Sequence, residues 1–343
     1  MKPPGHPNPS GDREIARLFL RALGLAGHDA FVASQLRLRE PEGDAGAQRA
    51  LVEAAGAETA RLLAGLAGDP PALWFTYHSY WKAPDLIGPA VSAALGIPYV
   101  IAEPSHSPSR AIGPWAGFAA AAERALLAAD RLIWTKPRDL PALQALVAAE
   151  RLCHLPPFLD PGPEPAAPPP SDTLRLLTVA MMRAGDKAAS YAALAAALEH
   201  LPQPWSLTIV GDGPLRTDVA AMFARFPAIR FMGAITDPAR LRRLYESHDL
   251  LVWPGIGEGI GMVYLEAQAA GLPALAAAHP GPAAVLARRD LPAPGDAAGF
   301  ARAIAELAGR PGARAEARAH VVSRHGLRAA AERLGAILAP LLP

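Results

Sequence analysis

Residues 258–266 read EGIGMVYLE, which sets Glu258 and Glu266 on either side of two glycines and an apolar run. Carboxylates can trade a proton, hold a cation or accept hydrogen bonds from hydroxyls, and spacing separates these uses. On one continuous helix the pair would lie about 12 Å apart at 1.5 Å rise per residue, too far to share a proton. The glycines of GIGEGIG (255–261) suit a loop that lets a ligand approach the main chain, and Gly271 and Pro273 suit the end of the helix MVYLEAQAAG. A helix start exposes unpaired N–H groups and the positive end of its dipole, a seat for phosphate or pyrophosphate. The pattern points to two carboxylates that grip different hydroxyl-bearing parts of one extended ligand, Glu258 from the loop and Glu266 from about one turn inside the helix. An ordinary surface helix with a glycine-rich lead-in is the alternative.

Such residues need a scaffold. Short β-rich runs at 29–34, 72–77, 99–102, 131–135, 175–180, 206–211, 229–233 and 250–254 alternate with Ala/Leu helices, and this alternation predicts an α/β fold of parallel sheets covered on both faces. The stretch LPPFLDPGPEPAAPPPS, from Leu155 to Ser171, is too rich in proline for regular structure and reads as a hinge. The expected division is a first doubly wound domain over 1–158, a linker over 159–172 and a second doubly wound domain over 173–343, the two facing across a cleft. Ligands bind beyond the carboxyl ends of such strands. The residues to inspect are therefore His78 after the second run, Glu103, Ser105 and His106 after the third, Gly211 in GDGP, and Glu258, Gly259 and Gly261 in the loop above.

Composition excludes several classes. A formal net charge of +1 gives no basic footprint for nucleic acid. The single cysteine, Cys153, rules out an intramolecular disulfide and a cysteine-built zinc site, and reads as a small buried apolar residue. No apolar span of membrane-crossing length and no signal peptide is evident, so a cytoplasmic protein is expected. Arg13, Arg17 and Arg21 recur at i+4 on one helix face. That stripe reads as a solvated face, with peripheral contact to an anionic inner membrane surface or lipid acceptor as the alternative.

The segments also occur in a telling order. EGIGMVYLEAQAAGLP (258–273) resembles the glutamate, seven residues, glutamate signature of GT-B glycosyltransferases, especially the retaining family 4 (group 1) enzymes. IVGDGPLR (209–216), FMGAI (231–235), SHDLLVWP (247–254), LPPFLD (155–160) and LPAPGD (291–296) resemble segments of the same family, so the resemblance covers nearly the whole chain. It implies two Rossmann-like domains and transfer of a sugar from a nucleotide-diphosphate donor, with retention at the anomeric carbon, to an acceptor such as a sugar, lipid-linked glycan or small molecule. By the same resemblance Glu266 bonds the donor ribose, Glu258 lies by the sugar and leaving phosphate, and His78 faces the transferred sugar from the first domain. His106 admits a structural or an acceptor-side reading, and His248 looks structural. No cofactor is expected, and no Asp-x-Asp pair is present to hold a catalytic metal.

Two departures from the family pattern stand out. The family places an arginine six residues before a clamp lysine, two cations that offset charge on the leaving nucleotide. In TVAMMRAGDKAASY, if Lys187 is that lysine, the arginine position is Met181, and Arg183 could supply the charge from the same face of an extended segment. The family also opens with a strand that feeds a glycine turn, whereas MKPPGHPNPSGDREIARLFL reaches the loop Pro9 to Asp12 with no strand before it, although Gly11 matches the turn. A late start, a truncated chain and a sheet that dispenses with its first strand remain as readings; the first leaves an open place beside residues 29–34. A nucleotide-sugar epimerase and a non-catalytic nucleotide-sugar binder are the competing functions. A dinucleotide oxidoreductase would need a third glycine that GDGPLR lacks.

Overall fold

The computed structural model describes residues 3–5, 7, 11–202 and 204–342. The chain forms two compact units, Met1–Pro156 with Leu327–Pro343, and Pro157–Gly326. Residues 327–343, expected with the second domain, thus belong to the first unit. Their helix, Leu327–Leu338, buries Leu327, Ala330, Ala331, Leu334 and Leu338 along one stripe and packs against the helix Gly11–Leu25. From Pro157 onward the proline-rich stretch belongs to the second unit. The carbonyls of Pro161 and Pro163 accept hydrogen bonds from Arg242 and Arg318, and that of Gly162 from Arg318, so two guanidinium forks hold a backbone that cannot pair with itself.

The sheet of the first unit contains β1 (Trp74–Tyr77), β2 (Tyr99–Ala102), β3 (Arg131–Trp134) and β4 (Leu152–His154), parallel throughout and in that spatial order. β2 lies inside the sheet and reads YVIA, with all four residues buried, as a strand covered on both faces must be. Residues 29–34, expected to be a strand, form none: they run without a ladder, and Phe31 is 60% exposed. A β-rich composition makes a strand only when a neighbour supplies the opposing N–H and C=O groups.

The second unit carries β5 (Leu174–Val179), β6 (Trp205–Val210), β7 (Ile229–Phe231), β8 (Leu250–Val252) and β9 (Ala274–Leu275) in the spatial order β7-β6-β5-β8-β9. The chain winds outward from β5 through β6 to β7, then crosses back to place β8 on the other side of β5. That reversal is a topological switch point, and the loops after β5 and β8 diverge there to leave a crevice. The core beneath it is aromatic: Trp253, Tyr191 and Tyr264 are inaccessible to solvent, and the rings of Tyr191 and Trp253 meet at 4.9 Å. Aromatic burial of this kind adds about 0.5–1.5 kcal/mol per pair beyond the area removed from water, which keeps the loop after β8 rigid at its root.

Candidate functional site

The crevice of the second unit is built from three loops. After β5 the chain runs through Met181, Met182 and Arg183 to the helix Asp186–Leu198, which carries Lys187 in its first turn. After β6 come Gly211 at φ 143° and Gly213 at φ 153°. A Cβ on Gly211 would lie 1.9 Å from the Ala180 carbonyl oxygen, and one on Gly213 would lie 2.3 Å from that of Met182. Gly211 is thus required because two loop backbones touch. The Met182 N–H donates to the Asp212 carbonyl at 2.9 Å and joins the two loops.

After β8, Ser190 fixes the third loop by accepting from the Ile256 N–H at 3.0 Å. Gly261 stands at φ 74° with the Tyr264 ring 2.5 Å from where a Cβ would be, and it precedes the helix Met262–Ala269 with no side-chain cap. The first N–H groups of that helix are left for something other than a capping side chain. Gly259 lies against Gly281, whose Cβ would fall 2.8 Å from the Gly259 carbonyl oxygen.

Glu258 lies in this loop and Glu266 in the helix. The Glu258 carboxylate forms an ion pair with Lys187 and accepts from the Trp253 indole at 3.0 Å, and the Lys187 ammonium lies 5.4 Å from the Trp253 ring. The switch point therefore brings together residues 71 apart in sequence. Glu266 accepts from the Tyr245 hydroxyl at 3.0 Å. Desolvation by the surrounding protein pushes the Glu266 carboxyl above its ordinary range and the Tyr245 bond opposes this. Glu266 remains exposed to solvent on its helix. Met181, 55% exposed, and Arg183, also exposed, flank the buried Met182, and Arg183 makes no ion pair among the described residues.

A second cluster forms at the carboxyl ends of the strands in the first unit. His78 follows β1 at φ 63° and Glu103 follows β2 at φ 52°, both left-handed conformations that ordinary residues avoid. Each is held there by the neighbouring strand: His78 N–H donates to Ala102 at 2.8 Å and Glu103 N–H to Ile133 at 2.8 Å. Lys136, which follows β3 by the same rule, donates to Glu103 at 2.8 Å, while His78 Nδ1 lies 3.6 Å from the same carboxylate. Burial alone would raise Glu103, but His78 and Lys136 outweigh it and hold the carboxyl down to about 2. Lys136 was not expected; its place just after a strand was the available signal.

The remaining candidates stand apart. His106 bonds Ala142 O through Nδ1 at 3.3 Å and Glu123 through Nε2 at 3.1 Å, so protein groups occupy both ring nitrogens. His248 is 8% exposed and bonds Leu244 O and Thr208, in line with a structural role. Gly11 is not in a turn: it is the first residue of its helix, and a Cβ there would meet nothing within 4 Å. The expected loop from Pro9 to Asp12 lies partly outside the described residues, and Asp12 is helical. Arg13 and Arg17 pair with Glu14 and with the carbonyls of Pro7 and Pro4, which draws them away from a free basic stripe. Cys153 is half-buried on β4, where burial raises its thiol, the reverse of an activated nucleophile. Among the described residues no helix is long and apolar enough to cross a membrane.

Residues 173–310 match the family model described as Glycosyl transferases group 1. The sulfoquinovosyl transferase SQD2 of Arabidopsis thaliana is 36% identical over 84 residues, a match that spans 24% of this chain and 16% of that protein. Among solved structures, sucrose-phosphate synthase from Thermosynechococcus elongatus superposes with a TM-score of 0.65 at 21% identity, over 97% of this chain and 94% of that one. Anabaena HepE in complex with UDP-glucose superposes with a TM-score of 0.62 at 19% identity, over 97% of each chain. The fold is that of the GT-B glycosyltransferases, with two Rossmann-like units.

Proposed function

From a group 1 glycosyltransferase match over residues 173–310, we propose that this protein transfers a sugar from a nucleotide-diphosphate donor to an acceptor, with retention and without a metal. The observation that carries this reading is the meeting of Lys187 and Glu258 at the β5/β8 switch point, ahead of the uncapped helix that bears Glu266. The donor diphosphate sits at that helix N-terminus, where backbone N–H groups and the dipole favour its charge. Lys187 has three N–H donors, so it can keep Glu258 and still donate to a phosphate oxygen as the leaving group gains charge. Glu266 accepts from the ribose hydroxyls, with Tyr245 orienting its second oxygen, and Glu258 lies beside the transferred sugar. Arg183 adds a second cation to the diphosphate in the place of the usual clamp arginine. His78 acts on the transferred sugar, and Glu103, whose carboxylate lies 3.6 Å from His78 Nδ1, serves the acceptor side.

The test is a thermal-shift screen of UDP-, GDP- and ADP-sugars, followed by a turnover assay with and without EDTA. One donor should raise the melting temperature of the native chain and fail to raise that of Lys187→Ala, because a ligand that binds only the folded state stabilises it. Turnover should survive EDTA. No shift with any donor sinks the proposal, and recovery of EDTA-treated enzyme by Mg²⁺ sinks its metal-free part. Met181 at the clamp position supports a non-catalytic donor binder as a second reading; tight binding with neither transfer nor donor hydrolysis would favour it.

A further inference from the structure

Trp253 stands immediately after β8 and is inaccessible to solvent. Its backbone is fixed on both sides: the N–H donates to Leu275 O at 3.1 Å, and the carbonyl accepts from the Tyr264 hydroxyl at 2.9 Å. Its ring packs on Tyr191 at 4.9 Å. Tyr191 and Lys187 are four residues apart on the helix Asp186–Leu198, so they share one face and both meet this indole. The indole N–H is thereby aimed at the loop, where it donates to Glu258 Oε1 at 3.0 Å. Among the described residues it is the one indole that donates to a carboxylate; Trp74 donates to Thr76 and Trp115 to the Glu40 carbonyl.

Lys187 pairs with the same oxygen, Oε1, and Oε2 bonds nothing among the described residues. The side chains of Lys187 and Glu258 are only 15% and 16% exposed. An ion pair this far out of water resists separation, because the partner left behind keeps a charge that water barely screens. If Lys187 turns toward a donor diphosphate, Glu258 is that partner. The indole answers the need: its ring is locked by packing, so its N–H stays on Oε1 wherever the ammonium goes. We propose, on the donor reading above, that Trp253 is a positioning residue of the donor site. It holds Glu258 in place and supplies the hydrogen bond that lets Lys187 exchange part of its ion pair for a phosphate oxygen. Oε2 meanwhile stays open to a hydroxyl of the transferred sugar. A phenylalanine at this position keeps most of the ring packing and loses the bond, which ties Lys187 more firmly to Glu258 and lets it reach the diphosphate less readily.

The test is a double-mutant cycle read by calorimetry with UDP, GDP and ADP, together with NMR of isotope-labelled indole N–H groups. Trp253→Phe should weaken binding of the preferred diphosphate by about tenfold, the lower end for a hydrogen bond to a charged group. In a Glu258→Gln background, where no charge is stranded, the same substitution should change the Kd by no more than about twofold. Equal weakening in both backgrounds would show that the indole only packs, and no weakening in either would show that its bond is idle; each overturns the proposal. In ligand-free protein Glu258→Gln should move one of the six indole signals upfield and leave the other five in place. That arm needs neither a ligand nor a folded Trp253→Phe variant, and six unmoved signals overturn the proposal. A native chain that binds none of the three diphosphates overturns the donor reading itself, whereas native binding without coupling in the cycle overturns only the role of Trp253.

Discussion

Glu103→Gln removes one charge from the cluster behind His78 and leaves its shape nearly unchanged. In the folded protein Lys136 and His78 hold the Glu103 carboxyl at about 2 against an ordinary value of 4.5. At about 1.4 kcal/mol per unit, that depression corresponds to about 3 kcal/mol of stability from ionised Glu103. The side chains of Glu103 and Lys136 are only 7% and 18% exposed, so solvent screens little of it. The folded pKa lies below the unfolded one, so this contribution is complete above pH 4.5 and is lost as pH falls toward about 2. Urea unfolding of the native chain and of Glu103→Gln at matched pH should show the variant about 3 kcal/mol less stable at pH 7. The gap should hold down to pH 5 and narrow below it. A gap under about 1 kcal/mol at pH 7, or one unchanged between pH 5 and pH 3, would refute the pairing of Glu103 with Lys136 and His78 as the source of its low pKa.

Glu266→Ala should weaken binding of the stabilising nucleotide sugar by about 1.5–3 kcal/mol, the scale of a charge-assisted hydrogen bond, and calorimetry giving an unchanged Kd would count against the ribose assignment. His78→Ala should remove most turnover while leaving the nucleotide Kd within about threefold, the pattern of an interaction made chiefly in the transition state. Loss of binding in proportion to activity would show that His78 has been given the wrong role. Gly211→Ala should destabilise the second unit by about 3 kcal/mol or more, since its Cβ would lie 1.9 Å from the Ala180 carbonyl oxygen in a backbone conformation that suits glycine. A melting temperature within a degree or two of the parent would contradict the close approach of those loops.

Seven of the nine strands among the described residues were legible as short β-rich runs, most plainly β2 and β8, which are buried on both faces and apolar throughout. The positions of His78, Glu103 and Glu258 followed from the same reading, because loops at the carboxyl ends of strands begin where those runs stop, whereas Glu266 was read from the helix that follows and Lys187 from the family resemblance. Strands as short as LCH and AL, β4 and β9, left no periodic trace, since two or three residues cannot show a period. Residues 29–34 show the converse: the segment has the composition of a strand, but strand formation is a property of a pair, and among the described residues no strand pairs with it. Which surface the helix Leu327–Leu338 covers was likewise open, because an apolar stripe specifies burial and not the identity of what buries it. Charges made the same distinction. The sequence marks Glu258 and Glu103 as residues that follow strands and, through the family resemblance, Lys187; Lys136 follows a strand as well but was not singled out. Only the order β7-β6-β5-β8-β9 sets the loop after β5 beside the loop after β8, and only the adjacency of β2 and β3 sets Glu103 beside Lys136. Contacts between residues far apart in sequence depend on sheet order, and sheet order is decided by packing the whole chain.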